Sequence, residues 1–303
     1  MRLSITTAYF FLLTVLAGPL WPGTARSADE LPPLVGRAAA VTISKPGQLA
    51  LAPSGDRLAF ADRFSNRIFV LDTRGNLIWS VGNGVSLDQP QAVLMTSLGV
   101  IVFSQWGSPR LLRVTEKNPK LIDTLADISP SISAKTKIMR LYQLRDKSYL
   151  VLTDSPEQLI MFDSNWMQPR VIVKSGSGKG KLIGAAACAE LPVSRLAVAG
   201  SGDYPVQLFD LTGHFVAGTD WNSAIPQSSW TAAAITIDYR ERIWVADLTN
   251  LKFRLYDLTG TLIDVHPFSS PAVRPVDMAI TSDNQLFVVN DNGRIDIFDL
   301  GQE

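Results

Sequence analysis

The chain has one cysteine, Cys188, so no intrachain disulfide can hold it together. Cys188 stands beside Ala189 in an apolar stretch and reads as a small core residue. A catalytic thiol would want a histidine partner, and the only histidines are His214 and His266. No His-Glu-x-x-His and no His–Cys cluster occurs, which removes the common zinc patterns. Charge of one sign is lacking too. With 28 basic and 28 acidic residues the formal net charge is +0, and there is no basic excess to track a nucleic acid. No Gly-x-Ser-x-Gly elbow with strand and helix flanks is present. The stretch 176–181, Gly-Ser-Gly-Lys-Gly-Lys, lacks the spacing of a phosphate loop because Leu182 follows Lys181, and it reads as a flexible connection.

Apolar residues make up 46% of the chain and charged residues 18%, enough for a packed core and too apolar for disorder. Met1-Arg2 opens a basic start, and residues 3–21 are apolar. Gly18-Pro19 and Pro22-Gly23 break any helix there, and Ala25-Arg26-Ser27 places small residues where a signal peptidase reads. We expect a signal peptide over 1–27, a linker over 28–34 and one folded domain over 35–303. The mature protein would then be periplasmic or secreted, with no membrane span after cleavage; an uncleaved anchor is the alternative. No cysteine follows the apolar run, so a lipoprotein anchor is excluded.

A repeat fills the rest. One phrase recurs: a small apolar strand, a polar turn, a second apolar strand ending in a polar residue, a loop, a third apolar strand, and a turn of the type Asp-x-x-Gly. The third strands end at Asp72, Thr115, Asp163, Asp210, Asp257 and Asp299, spaced 43, 48, 47, 47 and 42 residues apart. That is the period of a propeller blade. In the turns, an Asp side chain can take the N–H two residues on, and Gly accepts positive φ. The sixth copy stops at Gly301 without a fourth strand, whereas 37–43 is an unmatched strand at the other end. The expected fold class is all-β: a six-bladed β-propeller with the last blade closed by the N-terminal strand.

Ala61-Asp62, Asn66-Arg67-Ile68 and Asp72-x-x-Gly75, with Ala246-Asp247 and Asp257-x-x-Gly260, resemble the NHL repeat. The resemblance spans roughly residues 35–301 and implies a propeller without choosing an activity, since such propellers serve as binding platforms and, in a minority, as enzymes. Enzymes of the regucalcin–gluconolactonase type are similar in architecture only. Their Gly-Glu-Gly-Pro entry is absent, and the corresponding strand reads Pro46-Gly47-Gln48.

In such a propeller one face carries the loops between second and third strands and the crossings between blades. Function is expected there. That face would present Phe64, Trp106, Tyr204, Trp221, Trp230 and Phe268, with Arg63 and Arg274 among mixed charges. Trp106, Tyr204, Trp221, Trp230, Arg63 and Arg274 are the candidate binding residues for a protein or glycan ligand; no nucleic acid and no cofactor are expected. Asp62, Asp154 and Asp247 end second strands, with Asn290 at the equivalent point of the sixth copy. Converging oxygens could hold Ca²⁺, although each residue could equally cap its own loop. A non-catalytic binding platform is therefore the leading expectation, and a metal-dependent hydrolase or lactonase with a site at the propeller axis the alternative.

Overall fold

The structure is a computed structural model that describes residues 36–39, 41, 43–82, 86–129, 136–218, 230–270 and 273–301. The expected signal peptide, linker and Trp221 lie outside the described residues. After β1 (Gly36–Ala38), the chain forms blade one from β2 (Pro46–Leu51), β3 (Arg57–Asp62), β4 (Arg67–Asp72) and β5 (Leu77–Val81). Blade two is β6 (Pro90–Met95), β7 (Val100–Gln105), β8 (Arg110–Thr115) and β9 (Asn118–Asp127). Blade three is β10 (Lys137–Gln143), β11 (Tyr149–Asp154), β12 (Gln158–Phe162) and β13 (Arg170–Lys174). Blade four is β14 (Ala187–Leu191), β15 (Arg195–Ala199), β16 (Val206–Asp210) and β17 (Phe215–Gly218). Blade five is β18 (Ala232–Ile237), β19 (Ile243–Asp247), β20 (Lys252–Tyr256) and β21 (Leu262–Pro267). Blade six joins β22 (Pro275–Ile280), β23 (Gln285–Asn290) and β24 (Ile295–Asp299) to β1. The fold is a six-bladed β-propeller, as the spacing predicts.

The first strand of each blade lies innermost, and these strands touch around the ring: β2 meets β6 and β22, β6 meets β10, and β14 meets β18. The core lies between blades. Side chains alternate along each strand, so one blade feeds two interfaces. On β3, Leu58 and Phe60 face blade six, whereas Ala59 and Ala61 face blade two. On β7, Ile101 and Phe103 turn toward blade one and Val102 toward blade three. Burial on both faces explains why these strands read as unbroken apolar runs.

The Asp-x-x-Gly turns form as their chemistry requires. Asp210 Oδ1 accepts the N–H of Thr212 at 2.8 Å and of His214 at 2.9 Å, while the Gly213 N–H returns to the Asp210 carbonyl. Asp72 and Asp257 repeat the pattern, with Gly75, Gly213 and Gly260 all at positive φ. Blade three departs from it: Trp166 takes the glycine position at φ 61 and stacks on Tyr149 with centroids 4.0 Å apart.

The ring is closed by β1, which pairs antiparallel with β24 through Gly36↔Phe298 and Ala38↔Asp296. The Ile43 N–H extends the seam to the Gly293 carbonyl at 2.9 Å.

Candidate functional site

At the crossing-loop end, the four candidate metal residues do not form one site. Asp62 accepts the N–H groups of Ser44 and Lys45, each at 2.9 Å, and of Phe64 and Ser65 in its own loop. Asp247 accepts the N–H groups of Thr249 and Asn250 and an ion pair from Arg254 at 2.7 Å. The Asn290 amide donates to Asp296 and to the Arg294 carbonyl, and Asp154 accepts the Ser155 hydroxyl. The Asp62, Asp154 and Asp247 oxygens bond their own loops, and Asn290 Oδ1 is buried without a partner, whereas Ca²⁺ needs six to eight oxygens directed at one point. The inner strands begin here with Pro46-Gly47, Pro90-Gln91, Lys137-Ile138, Ala187-Cys188, Ala232-Ala233 and Pro275-Val276, so no carboxylate opens any of them. No group of three or more His, Cys, Asp or Glu that could hold a metal occurs among the described residues. Among the described residues, these four do not fit a calcium ion.

The candidate binding residues divide. Trp230 is buried between blades four and five with Arg254 4.5 Å over its ring, so it is core and not an exposed binding residue. Phe268 is buried as well, whereas Phe64 is 73% exposed. Tyr204 is half-buried with its edge against Phe215, and Arg274 is exposed. Trp106 and Arg63 do come together, with Lys137 beside them.

The large cavity is on the other face. It has a volume of about 720 Å³, lies on the axis, and is lined by the inner strands of all six blades together with the turns from first to second strands. Its polar residues interrupt small apolar strands: Gln48 on β2, Tyr142 on β10, Glu190 on β14 and Asp277 on β22. Gln48 reaches across to β10, with Nε2 on the Leu141 carbonyl at 2.7 Å and Oε1 accepting the Leu141 N–H at 2.8 Å. Arg140 spans from blade three to blade six, where Nη2 donates to the Val276 carbonyl at 3.1 Å and Nε stands 3.5 Å from Asp277. Asp277 also takes the Leu49 N–H of blade one at 2.9 Å. Side chains of blades one, three and six thus meet near the axis and form a polar floor. Burial pushes the Asp277 carboxyl above the usual range against the pull of Arg140.

Tyr142 and Glu190 stand in the wall. The Tyr142 oxygen accepts the Cys188 N–H at 2.8 Å, at the inner edge of β14. Burial raises the Tyr142 phenol well above its ordinary value, so it remains a proton donor at every working pH. Glu190 is two residues beyond Cys188, about 7 Å along an extended strand. Its Oε2 accepts the Arg145 N–H at 2.8 Å, and burial raises its carboxyl, with Asp146 adding to the effect. A proton donor and a carboxylate of raised basicity therefore share one wall. Cys188 is buried and its thiol is pushed up by desolvation, which keeps it protonated and unreactive.

No family profile matches this sequence, and no curated protein is similar to it in sequence. Solved structures do match the fold. Regucalcin from Agrobacterium tumefaciens, a calcium-binding protein, aligns with a TM-score of 0.65 at 10% identity over 89% of this chain and 95% of its own. A luciferin-regenerating enzyme aligns at 0.64 with 12% identity over 88% and 96%, and a streptogramin B lyase at 0.57 with 14% identity over 89% and 88%. The chain is a six-bladed propeller of the architecture these proteins share. At such identity the likeness is one of fold. It nevertheless corrects the expectation of a non-catalytic platform. That expectation rested on propellers being mostly platforms, and the architecture is shared by a luciferin-regenerating enzyme, a streptogramin B lyase and a putative gluconolactonase.

Proposed function

We propose that the chain is an enzyme that hydrolyses a small ester or lactone in the axial cavity, on the face opposite the crossings. The observation that carries this is that Glu190 and Tyr142 both line the wall of a cavity formed by all six blades. Cavities of this kind, holding few polar groups with shifted protonation, are where catalytic sites are found. Glu190 takes a proton from water as the water attacks the substrate carbonyl. The Tyr142 hydroxyl donates to the carbonyl oxygen, where negative charge develops. Glu190 then returns the proton to the departing alkoxide. Arg145 orients Glu190 through its backbone N–H, and Gln48 and Asp277, with Arg140 beside Asp277, limit how far a substrate enters. The fit to calcium is poor, so no step is assigned to a metal.

The test is turnover of a panel of lactones and esters by the full chain. Glu190→Gln should lower kcat about 100-fold or more, and Tyr142→Phe should lower it as well, with folding confirmed by thermal unfolding. Hydrolysis that Glu190→Gln leaves unchanged, or no hydrolysis of any panel member, would overturn the proposal. Export, with cleavage near Ser27, belongs to the same proposal and is read from cell fractionation and the mature amino terminus.

A further inference from the structure

The crossing-loop face holds a cluster that chemistry in the axial cavity does not use. Three consecutive blades build it: Arg63 from the β3–β4 loop, Trp106 just after β7, and Lys137 at the start of β10. The Arg63 guanidinium carbon lies 3.7 Å from the Trp106 ring centroid and the Lys137 ammonium 4.3 Å from it. The platform is anchored, since the backbone N–H of Trp106 donates to the Gln89 carbonyl at 2.9 Å and the backbone N–H of Gln89 to Asn66 Oδ1 at 2.9 Å.

Two cations on one indole repel each other, and each would ordinarily face a carboxylate. Neither Arg63 nor Lys137 forms an ion pair among the described residues. Asp62, next to Arg63, is already committed to backbone N–H groups. The crossing 129–137 carries two lysines and no acid in its sequence. Arg63 Nη2 has a long bond of 3.4 Å to Gln89 Oε1, and Arg63 Nε is buried without a partner. Cation–π contact lowers the cost of keeping the cations together but satisfies none of their N–H groups.

We propose that this corner binds a compact oxyanion, the phosphate or carboxylate group of a small ligand, held by the Arg63 guanidinium with Lys137 as second cation beside Trp106. The planar guanidinium matches either group with two parallel hydrogen bonds, which ammonium cannot do. The site is on the other face from the axial cavity, so failure of the hydrolase proposal leaves it intact and the reverse also holds.

The probes are inorganic phosphate and acetate, titrated by calorimetry and by tryptophan fluorescence into the full chain, with chloride keeping ionic strength constant. Saturable binding of at least one probe is expected. Arg63→Gln and Lys137→Gln should each weaken it about tenfold, and Arg63→Lys, which keeps charge but loses the fork, should fall between. Preference for phosphate or for acetate assigns the ligand class, and either supports the site. Absence of saturable binding by both probes, an equal response to chloride alone, or unchanged affinity in a folded Arg63→Gln protein would overturn it.

Discussion

Replacing Arg140 by Met tests the account of the axial floor most directly. The Arg140 and Asp277 side chains are 8% and 7% exposed, and Nε stands 3.5 Å from Oδ2. Removing the cation strands a buried carboxylate and also frees the Val276 carbonyl that Nη2 bonds. Loss of one partner from a buried pair costs about 3–5 kcal/mol. In a protein already carrying Asp277→Asn there is no carboxylate to strand. The same Arg140→Met change then loses only the bonds to the Val276 and Met139 carbonyls, about 1–2 kcal/mol together. The double-mutant cycle should therefore show coupling of roughly 2 kcal/mol. By thermal unfolding, Arg140→Met should lower Tm by about 6–20 °C in the wild type and by well under half of that in the Asp277→Asn background. Asp277 has a raised folded-state value, so its contribution is present below the ordinary carboxylate range and lost as pH rises through that value. The deficit of Asp277→Asn relative to wild type should accordingly be largest in acid and shrink toward neutral pH. Equal cost of Arg140→Met in the two backgrounds, within about 0.5 kcal/mol, would refute the claim that these groups meet across the axis.

Gly293→Ala should destabilise the closure markedly, because a Cβ there collides with the Ile43 carbonyl; loss of a cooperative transition shared with a deletion of 36–43 is the readout. Deleting 28–34 should leave the transition nearly unchanged. Asp238 is buried and accepts Trp244 Nε1 at 2.9 Å and Arg242 Nε at 2.7 Å, so Asp238→Ala should cost about 3–5 kcal/mol by chemical denaturation. Asp210 is held down to about 2 by the Thr212 hydroxyl and then by the His214 N–H. A depressed value contributes stability above the ordinary carboxylate range and loses it as pH falls through about 2. Asp210→Asn should therefore be less stable than wild type near neutral pH, with the gap closing as pH approaches about 2. For the enzyme, kcat/KM should rise with pH through a value above that of an ordinary glutamate, since burial raises Glu190 and its ionised form is the base.

The blades were legible because their signal is local. Asp72, Asp210 and Asp257 each act within five residues, and the unmatched strand at 37–43 supplied the missing partner for β24. Blades two to four were harder to read, since β6, β10 and β14 carry no turn motif and Trp166 takes a position where the motif has glycine. The axial site escaped notice for a different reason. Its contacts join residues 93, 136 and 228 positions apart, and no short pattern encodes such a meeting. The long crossings carry aromatic residues, yet the cavity opens among the short turns. One local signal was available: Gln48, Arg140, Tyr142, Glu190 and Asp277 are polar residues set in otherwise apolar inner strands. Where a core strand bears a polar side chain, something must receive it.

The seam between β1 and β24 has a consequence in time. Gly36 and Phe298 are neighbours in space but sit at the two extremes of the folded region. Drawing such distant points together from an open chain costs roughly 5 kcal/mol of loop entropy, most of which disappears once the intervening sheets have stacked into an arc. Closure is therefore the final event, and it waits for the last strand to emerge from the ribosome.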